Sequence, residues 1–209
     1  ICMGAVSILW YFVGFSLAFG DSIGGVIGNP MTFFMFRNVT ELTHKALSPT
    51  IPFVLFALFQ LKFAIITPAL ITGSFAERVR FRSYVLFVLL FEIFIYSPLA
   101  HMTWHPNGIL HKLGVLDFAG GTVVHMSAGL AALVGALVRG KRKDKTLIPN
   151  NLTLTVLGSG LLWFGWFGFN AGSAVAANGL AGAAFINTNT AAALAALAWM
   201  FTEWMVAKK

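Results

Sequence analysis

Six long apolar stretches dominate this chain, and their length decides what it can fold into. A bilayer core about 30 Å thick is crossed by roughly 20 apolar residues in helical form. The stretches run about Cys2 to Phe19, Ile51 to Ala76, Tyr84 to Trp104, Phe118 to Val138, Leu152 to Val175 and Ala183 to Val206. Each reads as a helix, because unpaired backbone groups are too costly in hydrocarbon. Nothing alternates with period two over about ten residues, which argues against a transmembrane β-barrel. The expected class is therefore an all-α polytopic membrane helix bundle.

Composition agrees. The 209 residues are 58% hydrophobic and only 10% charged, against about 25% charged in soluble domains. Mean hydropathy is +0.82. A disordered chain, a secreted disulfide scaffold and most soluble enzymes are excluded. Cys2 is the only cysteine, so no internal bridge forms and no redox compartment follows. A net charge of +7 would point to nucleic acid in a soluble protein. Here the basic residues cluster between apolar segments, which is the pattern of membrane topology. No nucleic-acid partner is expected, since the run Arg139–Lys145 lacks interleaved aromatics.

Basic residues also set the orientation. Arg78, Arg80 and Arg82 lie between segments two and three, and Arg139, Lys141, Arg142, Lys143 and Lys145 between four and five. Lys208 and Lys209 follow segment six. The opposite loops hold Arg37, Lys45 and Lys112. The positive-inside rule places the larger group in the cytoplasm and the loop from His101 to Asp117 outside. The cell membrane is the expected location. The chain opens as Ile-Cys-Met-Gly inside an apolar run and stops just after a membrane helix. That pattern is unlike a secretory signal peptide and predicts a fragment of a longer chain.

Polar residues inside the apolar runs are the sharper signal, because each costs several kcal/mol unless partnered or wetted. His125 lies about a third of the way into segment four, where a neutral imidazole either satisfies a local hydrogen bond or lines a path. Asp117 opens that segment as Asp-Phe-Ala-Gly-Gly-Thr and reads first as a helix cap. Lys62 and Glu92 admit an ion pair, burial at a subunit interface, or snorkelling of the lysine. Their depths nearly match from the outer helix ends but differ by about 9 Å from the inner turn. Pro68 predicts a kink in segment two. Small residues from Ser127 to Ala136, and Gly165, Gly168 and Gly172, predict close helix packing, with a narrow path as the functional addition. His101 and His105 have metal-ligand spacing, but Pro106 follows at once and no carboxylate or thiol cluster supports them. No phosphate-cradling loop or nucleophile–base pair is evident, so neither an enzyme activity, a cofactor nor a metal is expected.

Four passages go beyond generic membrane composition: FAIITPALITGSFAERVRF, AHMTWHPNGIL, DFAGGTVVHMSAGLAALVGA and WFGWFGFNAGSA. In content and order they resemble the ammonium transporter family (the Amt/MEP/Rh group), over nearly the whole chain. The stretch looks like the second through seventh of the family's eleven helices. The resemblance implies two inverted five-helix repeats, incomplete here, and a homotrimer with a narrow hydrophobic pore in each subunit. It implies an external ammonium site, matched by Phe63, Trp104 and Ser173, and a pore gate, matched by Phe63 and Phe169. His125 matches the first of the paired pore histidines; the second lies beyond residue 209. Ammonium would be deprotonated and pass as ammonia. The resemblance also implies a PII-type regulatory protein on the cytoplasmic loops. The alternatives are an ammonium-sensing module of a signalling protein and a non-functional truncated fragment. Two departures stand out: Lys62 beside the gate position, and His105-Pro106-Asn107 in place of a glycine-rich turn.

Overall fold

The computed structural model describes residues 1–142, 148 and 150–207. Lys143, Lys145, Lys208 and Lys209, counted above among the basic loop residues, lie outside the described residues. The chain divides into two compact units, Ile1–Lys145 and Thr146–Lys209, and each is described by itself.

In the first unit α1 spans Cys2–Phe19. Two short antiparallel hairpins follow. The first pairs β1 (Ser22–Ile23) with β2 (Ile27–Gly28), and Gly24 and Gly25 turn it with φ of 62° and 76°. The second pairs β3 (Thr43–His44) with β4 (Ser48–Pro52). Helix α2 then spans Phe53–Phe75, α3 Phe81–Lys112 and α4 Gly121–Arg139. The third span is broken at His105, whose extended backbone (ψ 136°) ends the helix before a last turn at Ile109–Lys112. These helices are long and apolar enough to cross a membrane. Their small polar content leaves packing to aromatic and small residues.

The core of this unit includes a nest of rings where α1 ends and α2 begins. Phe15 meets Phe19, Phe33, Phe53 and Phe56 with centroids 5.3–6.5 Å apart. Trp10, fully buried, joins them and donates its indole N–H to the Ala57 carbonyl at 3.0 Å. That bond fixes α1 against α2. Farther along α2, the interruption falls at Ile71, three residues beyond Pro68. The Tyr84 hydroxyl donates to the Pro68 carbonyl at 3.2 Å and lies 2.8 Å from Thr72 Oγ1, so α3 supplies a partner beside the break. Gly135 allows the Phe75 ring to rest on α4, where a Cβ would collide with it.

Three stretches of this unit wind as π-helix: Trp10–Gly14, Glu92–Tyr96 and Gly121–Met126. Such single turns concentrate at functional positions. The Lys62–Glu92 ion pair is not formed. Lys62 is exposed, whereas Glu92 is 0% exposed and neither carboxylate oxygen has a hydrogen-bond partner. Among the described residues the ion pair found is Arg142–Glu77, at 3.4 Å.

The second unit is a helical hairpin of α5 (Leu152–Ala174) and α6 (Gly179–Ala207). Asn151 caps α5 by accepting from the Leu154 N–H at 2.9 Å, and Asn178 caps α6 by accepting from Ala181 at 3.0 Å. That cap explains why α6 begins at Gly179, a turn earlier than the hydropathy pattern predicts. Val175, at φ 52°, ends the last 3-10 turn of α5. Asn170 Nδ2 donates to Thr188 Oγ1 at 2.9 Å, a polar clasp between the two helices.

Candidate functional site

In the first unit Phe63 and Trp104 come together. Their rings meet edge to face, 5.7 Å between centroids at 76°. Phe63 is 2% exposed and Trp104 is half-buried, so the pair presents one partly open aromatic ring against one buried ring. Phe59 extends the wall, 4.9 Å from Phe63. The sequence reading missed Phe59; its spacing of four from Phe63 places both on one helix face and was the available signal.

Asp117 organises this corner. Its Oδ1 accepts from the N–H groups of Gly120 (2.6 Å) and Gly121 (2.9 Å), and its Oδ2 from Thr122 (2.9 Å) and Val123 (3.0 Å). One carboxylate thus satisfies four donors at the start of α4, where the helix dipole also favours negative charge. The capping role read from the sequence is the geometry found. The Asp117 backbone carbonyl meanwhile accepts from the Trp104 indole N–H at 2.9 Å. Gly120 makes the turn with φ 97°, and a Cβ there would run into the Val124 side chain. The residues DFAGG are therefore one device: an anion caps a helix, a glycine turns the chain, and an indole is hung from the cap.

His125 sits in the π-turn that Asp117 caps, and its N–H donates to the Gly120 carbonyl at 2.9 Å. Its side chain is exposed. His101 and His105 stack at 4.4 Å and 13°. The two ring nitrogens of His101 pair with Ala18 O (2.9 Å) and Ser22 Oγ (2.8 Å), which ties the Trp104 helix to the first hairpin. His105 Nδ1 accepts from the Asn107 N–H at 3.0 Å, so the His-Pro-Asn departure makes its own tight turn.

Phe169 and Ser173 belong to the second unit. The Ser173 hydroxyl donates to the Phe169 carbonyl at 2.7 Å, one turn back. Phe169 stacks on Trp166 at 4.8 Å and 13°. The two predicted residues are thus neighbours along one helix end.

The family model described as Ammonium Transporter Family matches residues 1–209. An ammonium transporter of Aquifex aeolicus is 53% identical over 200 residues, 96% of this chain and 46% of the relative. The crystal structure of Saccharomyces cerevisiae Mep2 superposes with a TM-score of 0.88 at 39% identity, covering 98% of this chain and 47% of that one. A structure described as a sensor Amt protein gives a TM-score of 0.85 at 32% identity, covering 100% of this chain and 53% of that one. The chain spans about half the length of the relatives it matches.

Proposed function

The chain belongs to the ammonium transporter family and is an integral multi-pass membrane protein, and from that premise we propose that its full-length parent moves ammonium or ammonia across the membrane. In this reading Trp104, Phe63 and Ser173 recruit the cation on the outer side. Phe63 and Phe169 gate a hydrophobic bore, and His125 lines it. The observation that carries the reading is the Phe63–Trp104 pair, held at 5.7 Å with its indole anchored on the Asp117 carbonyl.

The physics favours this assignment. Ammonium is small and strongly hydrated, and an ion enters hydrocarbon only at high cost. Each aromatic face contributes about 0.5–2 kcal/mol of cation–π attraction, the larger value when desolvated. A hydroxyl such as Ser173 accepts a hydrogen bond from the ion. Below the rings an apolar bore favours the neutral species, so ammonium gives up a proton and ammonia passes the imidazole. The basic loops face the cytoplasm of the cell membrane, the parent assembles as a homotrimer, and a PII-type protein docks on those loops.

Methylammonium uptake by the full-length parent in vesicles tests this. Trp104→Leu removes the best cation–π face, and a loss of about 1–2 kcal/mol raises the half-saturating concentration roughly 5- to 30-fold. Equal uptake at every concentration would overturn the recruitment site. A sensing role is the second reading, favoured by the likeness to the sensor Amt structure. Ammonium binding without uptake by the parent would select it.

A further inference from the structure

Trp104 is the last residue of its helical stretch, Ser97–Trp104, before the break at His105. A helix frays at such an end unless its last turn is tied down. His101 lies three residues earlier and is 0% exposed. Residues three apart are neighbours on a helix surface. The His101 Nδ1 donates to the Ala18 carbonyl at 2.9 Å. That carbonyl belongs to the last turn of α1, where carbonyls have no partner within the helix. A carbonyl only accepts, so the proton sits on Nδ1, and Nε2 of the neutral ring accepts from the Ser22 hydroxyl at 2.8 Å. Both ring nitrogens are thus engaged by groups outside α3.

The same hairpin grips the chain just past Trp104. The Ile109 N–H donates to the Gly25 carbonyl at 2.9 Å, in the turn between β1 and β2. Ser22 Oγ lies 3.5 Å from the Asn107 carbonyl. His105 fills the interval: its ring stacks on His101 at 4.4 Å, and its Nδ1 accepts from the Asn107 N–H at 3.0 Å. Trp104 therefore stands between two attachments to the first hairpin, one at His101 and one at Ile109. Its indole N–H reaches the Asp117 carbonyl at the start of α4. The Asp117 bond fixes the tip of the indole, and the helical turn that carries Trp104 fixes its base. Of the side chains in that turn, His101 is the one bonded to both α1 and β1.

We propose that His101 is a positioning residue for ammonium recruitment. Its two ring nitrogens lock the last turn of this helix onto α1 and β1, and so hold the Trp104 ring at its 5.7 Å station against Phe63. The inference rests on the recruitment reading above. His101 acts on the cation only through the indole. A cation–π contact depends on the ring facing the ion at close range. A loosened turn therefore weakens binding and leaves the gate and the bore as they are. The loss of His101 cannot cost more affinity than the loss of the indole itself, and it costs nothing once the indole is gone.

A double-mutant cycle in methylammonium uptake by the full-length parent tests the proposal. His101→Leu keeps apolar bulk and loses both bonds. His101→Gln offers an amide N–H to the Ala18 carbonyl and an amide oxygen to the Ser22 hydroxyl. For His101→Leu the half-saturating concentration is expected to rise roughly 5-fold, the low end of the Trp104→Leu range, with the maximal rate within about twofold. In the Trp104→Leu background the same change adds nothing, and His101→Gln recovers most of the affinity. Should His101→Leu fail to fold, Ser22→Ala removes a single bond and carries the same cycle, at about twofold. Fluorine NMR of fluorotryptophan-labelled protein supplies a second readout. The resonance that Trp104→Phe abolishes should shift or broaden in His101→Leu and return in His101→Gln. A half-saturating concentration that adds in full to that of Trp104→Leu overturns the proposal, as does a loss confined to the maximal rate. If Trp104→Leu weakens uptake and His101→Leu and Ser22→Ala do not, this inference fails and the recruitment reading stands. If Trp104→Leu changes nothing, both fall.

Discussion

Replacing Asp117 by alanine removes the acceptor for four backbone N–H groups at once, at 2.6–3.0 Å. An ordinary helix cap contributes about 0.5–2 kcal/mol, and hydrogen bonds to a charged group about 1.5–3 kcal/mol each. Four bonds to one carboxylate add less than linearly, because water reaches the freed donors of Gly121, an exposed residue, more readily than those of buried Val123. A local cost of about 3 kcal/mol is the reasonable sum, equivalent to on the order of 100-fold faster opening of the α4 start. Amide hydrogen exchange of Gly120–Val123 in lipid nanodiscs reads this directly. Asp117→Asn keeps one carbonyl oxygen and turns an amide toward two donors, so it should fall between alanine and the unchanged protein. Because the Trp104 indole hangs from the Asp117 carbonyl, its fluorescence should move to longer wavelength in step with the exchange. Exchange in Asp117→Ala within about threefold of the unchanged protein, under about 0.7 kcal/mol, would refute the argument that this carboxylate holds the corner together.

Other outcomes follow from single contacts. Trp10→Phe loses the bond to the Ala57 carbonyl and part of a buried ring, and should lower stability by about 2 kcal/mol in thermal unfolding in detergent. Gly108→Ala places a Cβ against the backbone carbonyls of His101 and Met102, which cannot move aside cheaply; a loss of about 2–4 kcal/mol is expected in the same assay. Glu77→Gln removes the charge of the highly exposed partner of Arg142 and should change stability by less than about 0.5 kcal/mol in thermal unfolding at physiological salt.

Much of this architecture is legible in the sequence because hydrocarbon is a strict solvent. Apolar length alone places six helices, and the acidic residue before a Gly-Gly pair announces the Asp117 cap. Rotation about a helix axis is less legible. Depth counting left Lys62 and Glu92 free to pair, yet the fold turns the lysine outward and the glutamate into the core. Hydropathy cannot distinguish those orientations, since both residues interrupt equally apolar runs. Phe59 was overlooked for a related reason: among so many phenylalanines, only its distance from Phe63 marks it. The hairpins at Ser22–Gly28 and Thr43–Pro52 are too short for any alternation to register. The π-turns leave no periodic trace at all, because five or six residues are too few to reveal a changed repeat.

The Glu92–Tyr96 turn has a mechanical consequence for everything downstream. A wider coil acts as a phase adjuster, setting the compass bearing at which the rest of the rod emerges. Winding those residues as ordinary α-helix with none removed would swing Trp104 by about 100° around the axis, away from its phenylalanine, whereas deleting a single position would restore ordinary winding and leave that bearing nearly unchanged. The bearing of the Trp104 indole is thereby set two turns earlier, by one surplus residue, and then held by its bond to the Asp117 carbonyl.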